Sequence, residues 1–252
     1  MKRGAVHNTW FPSTLSPRDR RILSTEEQLS SIANMVQEIQ TRSDHRIDTT
    51  VAVLVSLAVV AWGNGLVLLQ RRIGGDLGEI LTTVAHPFLG SLGAAIMLNS
   101  GWSRTDLGLA FPPRRAIGAR WGVALAGLAF GWVAIGVLRK GIGTESTSRR
   151  IFVVRLAVGT ALGEELIHRG VLLALWARTR LSPGVVIVAN ALVFSAWHVV
   201  GSLRKGPRAV GEVPITGLGA LLFLAARSRS RSLIGACSAH LSTNILGLAL
   251  KR

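Results

Sequence analysis

From Thr49 onward the chain alternates long apolar runs with short basic clusters. A helix that crosses a bilayer needs about 20 mostly apolar residues, and most of the runs have that length. Thr49 to Gln70 carries no charge and stops at Arg71-Arg72. Ile80 to Ser103 holds no acid, lysine or arginine, only His86. Trp121 to Leu138 lies between Arg120 and Arg139. Leu181 to Leu203 and Ser232 to Leu250 are likewise free of fixed charge. Ser182-Pro183 reads as a helix start, a cap followed by proline in the first turn. Val213 to Ala226 is shorter, which suits a short, tilted or re-entrant span. Ile151 to Ala177 is long enough to span, yet it carries Arg155, Glu164, Glu165, His168 and Arg169. The pattern predicts an all-α, multi-pass transmembrane bundle of about seven spans.

Residues 1–48 differ from the 49–252 transmembrane domain. This tail is basic and has no long apolar run after its start, so no cleavable signal peptide is expected. Ser24 and Glu27 form a capping-box pattern, and Leu29, Ile32, Met35, Val36 and Ile39 then recur at helical spacing. That predicts an amphipathic helix on the membrane surface or against the membrane domain; a partly ordered polar tail is the alternative.

Composition agrees with the pattern. Hydrophobic residues make up 49% of the chain and charged residues 17%, with a mean hydropathy of +0.42; soluble domains carry about 25% charge. Disorder, collagen and a disulfide scaffold are excluded, the last because Cys237 is the sole cysteine. A net charge of +16 raises the question of nucleic acid. The cations, however, sit in pairs between apolar runs (Arg71 and Arg72, Arg114 and Arg115, Arg149 and Arg150), where they meet anionic headgroups. The expected surroundings are therefore membrane lipids, with the basic N-terminus on the cytoplasmic side, and no nucleic acid; the membrane is expected to be a bacterial plasma membrane.

An ionisable group inside a span is costly and marks function by default. Glu165 and Arg169 are four residues apart and share a helix face, so that pair neutralises itself. Glu164 points about 100° away, toward the face of His168, and is the carboxylate left over. It suits a general base; a single structural ion-pair cluster of both glutamates with Arg169 is the alternative. Two further spans carry histidines. Asn190, Phe194 and His198 form one stripe, and His240 and Asn244 form another. Polar groups in lipid need partners, and these are the available ones. Such a cluster suits hydrolysis, with Glu164 and His198 activating water and His240 and Asn244 donating to an oxyanion. Glu164, His198 and His240 also make a zinc-ligand set with an open position, although no HExxH spacing is present. Outside these stripes, His86 before Pro87 reads as a packing or kink residue, Asn64 between two glycines as close helix packing, and Cys237 as a small packing residue.

Glu164-Glu165 with Arg169, Phe194 with His198, and His240 with Asn244 match, in order, the EExxxR, FxxxH and HxxxN motifs of one family. The chain resembles the CAAX-protease and bacteriocin-processing family of intramembrane endopeptidases, which includes the prenyl-protein protease of the endoplasmic reticulum. The resemblance covers residues of about 80 to 250, and Asp106-Leu107-Gly108-Leu109 looks like the loop before the family's core. It implies an all-helical membrane core with an intramembrane polar cavity, in which Glu164 and His198 activate water, His240 and Asn244 form the oxyanion site, and Glu165, Arg169 and Phe194 support them, without a cofactor. The substrate it implies is a membrane-associated protein or peptide. Two rivals stand beside this reading: the same site with bound zinc, and a non-catalytic transporter or scaffold. A transporter is expected to show inverted repeats, and no repeat is visible.

Overall fold

The computed structural model describes residues 25–42, 46–111, 158–203, 206 and 211–250, with side chains to residue 244. Among these the chain is all-helical. The expected span at Trp121–Leu138 and the first part of Ile151–Ala177 lie outside the described residues, as does Ser24 of the capping box.

Helix α1, Thr25–Thr41, turns Ile32, Met35, Val36 and Ile39 inward, the set its periodicity predicts. Val36 is fully buried and Ile32 nearly so. Removing such side chains from water stabilises by about 1.5–3 kcal/mol each, so α1 belongs to the folded body. Polar contacts fix its register. Gln40 Nε2 donates to the Leu181 carbonyl at 2.9 Å, and the Ser31 and Ser228 hydroxyls are 3.2 Å apart. Arg42 and Arg231 both pair with Glu38.

Asp48 caps helix α2, Thr49–Ile73, by accepting the Thr50 amide at 2.7 Å. Gly74, at positive φ, turns the chain into α3, Gly75–Asn99. Both helices are long and apolar enough to cross a membrane. Their large side chains also face outward: Leu57 is 60% exposed, Leu77 66% and Phe88 64%. A soluble core helix hides such residues, whereas a broad outward apolar surface suits lipid. Pro87 lies inside α3.

The fourth helix, α4, runs from residue 158 through a π-helical segment, Leu166–Leu172, to Leu173–Ala177. Helix α5, Pro183–Trp197, begins at the expected Ser182-Pro183. The run predicted as one span to Leu203 is divided: the helix breaks at His198 and resumes as α6, Val199–Leu203. Helices α7, Glu212–Ser230, and α8, Leu233–Leu250, complete the body. At one end a buried acid gathers three elements. The Asp106 carboxylate meets Arg42 at 3.3 Å and Arg178 at 3.4 Å, and its carbonyl accepts from Arg227. The Leu233 amide and the Ser232 hydroxyl donate to the Gly108 carbonyl. The Asp106–Leu109 loop thereby docks against the α7–α8 turn.

The docking of α1 has two expected signatures. Val36→Asp buries a carboxylate without a partner. It should lower the thermal midpoint by the equivalent of more than about 2 kcal/mol and expose α1 to hydrogen exchange; unchanged protection would contradict the docking. The hydrogen bond from Arg231 is the main reason that the Glu38 pKa lies below the usual carboxylate value. A lowered folded pKa contributes stability above the ordinary carboxylate range, which is lost as pH falls through the lowered value. Acid should therefore release α1 first, and Glu38→Gln should remove that step.

Candidate active site

The polar residues of α4, α5 and α8 meet at the level of the π-helical segment. A π turn widens the helix and frequently marks a functional position. Here Asn190 of α5 donates to the His168 carbonyl at 2.8 Å, one polar tie between α5 and this segment.

Arg169 donates to Glu165 Oε1 at 3.0 Å, and both side chains are fully buried. This is the pair expected from their spacing. The same oxygen lies 2.8 Å from His240 Nδ1, a contact that i,i+4 spacing does not reveal. The result is a chain of three groups, Arg169–Glu165–His240, crossing from α4 to α8. Aromatic rings hold it in place. The Arg169 guanidinium lies 4.1 Å from the Phe194 ring centroid and 5.2 Å from that of Phe223, a cation–π arrangement. Phe223 stacks on His240 at 4.6 Å with the planes 15° apart. Phe194, expected as a support, also meets His198 edge-on at 4.8 Å.

Glu164 is the acid left over. Its Oε2 is 3.5 Å from His198 Nε2 and 3.7 Å from His240 Nε2. Those separations are charge contacts, longer than good hydrogen bonds, and Oε2 has no hydrogen-bond partner in the protein. The Glu164 side chain is 4% exposed and that of His198 30%, so the cluster opens toward His198. Asn244 follows His240 by one turn of α8 and is half-buried.

His168 does not join Glu164. Its ring is fully buried, neither nitrogen has a protein partner, and it sits edge-on to Phe194 and Trp197 at 5.0 and 5.1 Å. His86 is also buried and unpartnered, packed 4.9 Å from Trp197, in keeping with a packing role. Gly163 lets α3 come this close: a Cβ there would lie 2.5 Å from the Pro87 nitrogen and 2.6 Å from the His86 carbonyl carbon. Cys237 is half-buried on α8. Two contributors were not foreseen, Trp197 and Phe223. Both are apolar residues in apolar runs, with no sequence signal to separate them from ordinary core.

The zinc alternative needs three ligands around one point. Among the described residues, no three His, Cys, Asp or Glu side chains are grouped to hold one ion.

Among the described residues the fold is all-helical, with two helices long and apolar enough to cross a membrane, and it holds a buried acid–imidazole centre. The model of the family described as type II CAAX prenyl endopeptidase Rce1-like matches residues 146–246, a segment that contains every motif residue from Glu164 to Asn244. The matched segment is thus similar to that family over less than half of the chain. No curated protein and no solved structure gave a match.

Breaking the buried relay should be costly. Removing one member of a buried ion pair strands the other and destabilises by about 3–5 kcal/mol. Glu165→Gln and Arg169→Ala should each lower the thermal midpoint and the yield of folded protein in membranes. Wild-type stability in both variants would contradict a structural role for the pair.

Proposed function

We propose that the protein is a multi-pass intramembrane endopeptidase, with about seven spans, that hydrolyses a peptide bond in a membrane-associated protein or peptide without a metal ion. One observation carries the reading. A buried carboxylate oxygen, Glu164 Oε2, has no hydrogen-bond partner and faces two imidazoles at 3.5 and 3.7 Å. An unpaired acceptor of that kind in a dry site suits a water molecule, and the half-exposed His198 gives it an entrance.

Water binds to Glu164 and His198 and loses a proton to Glu164 as its oxygen attacks the scissile carbonyl carbon. The carbonyl π pair moves to oxygen, and that oxyanion accepts hydrogen bonds from His240 Nε2 and Asn244 Nδ2. When the tetrahedral intermediate collapses, the C–N bond breaks and Glu164 returns the proton to the leaving nitrogen. One water is consumed, and the products are a carboxylate and an amine. Glu165 has a defined part in this scheme. A carboxylate accepts, so its contact with Nδ1 places a proton there. Nε2 then donates only when the ring carries its second proton, and the Glu165 charge offsets that cation. The Arg169–Glu165 pair thus orients His240 as well as holding the fold.

The Rce1-like match suggests prenylated CAAX peptides as the first substrates to try. With a fluorogenic farnesylated CAAX peptide in detergent micelles, Glu164→Gln should lower turnover by about 10²–10⁴-fold while the protein stays folded. A variant that cleaves at the wild-type rate would remove Glu164 from the step. Activity should survive prolonged chelation; stoichiometric zinc required for turnover would replace this mechanism with the metal one.

A further inference from the structure

The helix break at His198 has a defined cause on another element. In an unbroken α-helix the Val200 amide donates to the Ala196 carbonyl, its partner four residues back. Here the Asn64 side chain stands between them. Its Nδ2 donates to the Ala196 carbonyl at 2.9 Å, and its Oδ1 accepts the Val200 amide at 2.8 Å. The second Nδ2 proton goes to the Val60 carbonyl of its own helix, also at 2.9 Å, so the carboxamide is held from both sides. One side-chain amide thus substitutes for the main-chain bond that would close the turn around His198. Insertion into the i→i−4 ladder is a recognised source of sharp helix breaks. The neighbour of Asn64 makes the approach feasible: a Cβ at Gly63 would lie 2.4 Å from the Trp197 indole.

We infer that Asn64, on α2 and outside the Rce1-like segment, is a positioning residue that opens the helix at His198 and aims its imidazole at Glu164. The inference rests on the proposed role of His198. Its physical content is a competition. With Asn64 present, Ala196 and Val200 bond to the carboxamide and residue 198 takes a turn conformation. Without it, the two groups are free to bond to each other, the helix closes, and the imidazole rotates with the backbone. That closure replaces the lost hydrogen bonds, so the variant keeps most of its stability while the site loses its geometry.

The test compares Asn64→Ala, His198→Ala and the double variant on the same farnesylated peptide, with nitrogen NMR of ¹⁵N-histidine-labelled protein in micelles. His198→Ala assigns the His198 signal. Asn64→Ala should keep a near-wild-type thermal midpoint, lose about 10- to 100-fold in kcat with little change in KM, and shift the His198 ring signals. In the His198→Ala background it should cause no further loss, because the group it positions is absent. Asn64→Leu, of the same branched shape, removes the bonds to both Ala196 and Val200 without leaving a cavity or a charge and should match Asn64→Ala; it carries the test if Asn64→Ala does not fold. Wild-type kcat and unshifted His198 signals in the folded variant, with His198→Ala inactive, would overturn the inference alone. So would an equal loss in both backgrounds. Full activity in His198→Ala would instead overturn the proposed function, and the NMR shift would still decide whether Asn64 sets the ring.

Discussion

The buried pair between Arg169 and Glu165 is the constraint on which the site depends. Two adjacent glutamates in an apolar core repel each other and resist desolvation. A fully buried guanidinium four residues on removes one from contention and, through the shared Oε1, ties it to His240 of a distant helix. The neighbouring acid is then left with an oxygen that nothing in the protein bonds. Glu165 Oε2 is unbonded as well; what sets Glu164 apart is that its free oxygen faces the imidazoles of His198 and His240. The aromatic rings of Phe194 and Phe223 complete the arrangement by packing against the guanidinium and the imidazole where water would otherwise compete.

The same economy governs the scaffold. Helices α2 and α3 spend their apolar residues on the outer surface, so their few polar or small positions are available for contacts with the helices that carry the candidate site. Gly163 admits His86 and Pro87 of α3, and Gly63 with Asn64 of α2 fits the break after Trp197. The residues expected to carry chemistry come from α4, α5 and α8, but their orientation is set in part by helices that precede the Rce1-like segment. A site of this kind is held by elements that share none of its motifs.

Much of this was legible in the sequence because it is local. The Glu165–Arg169 pairing follows from i,i+4 spacing, the inward face of α1 from the recurrence of Ile32, Met35, Val36 and Ile39, and the start of α5 from Ser182-Pro183. What was not legible depends on contacts between distant segments. The His240–Glu165 bond spans 75 positions, and nothing in the HxxxN stripe points to it. Leu181–Leu203 read as one uninterrupted span because its apolar pattern continues through His198; the break comes from a side chain on α2. His168 appeared on the Glu164 face by helical spacing, yet in the π-helical segment it lies among Phe194 and Trp197 instead. Asn64 read as helix packing between two glycines, which describes its neighbour Gly63 better than Asn64 itself.

The account turns on where a scissile bond lies relative to Glu164. The most direct measurement is a structure, in lipid nanodiscs, of the Glu164→Gln variant holding an uncleaved peptide. The account predicts the scissile carbonyl carbon above the residue 164 side chain, with its oxygen directed at His240 Nε2 and Asn244 Nδ2 and a water between it and His198. A scissile bond seated against Cys237, or on a face of the bundle away from His198 and His240, would contradict it.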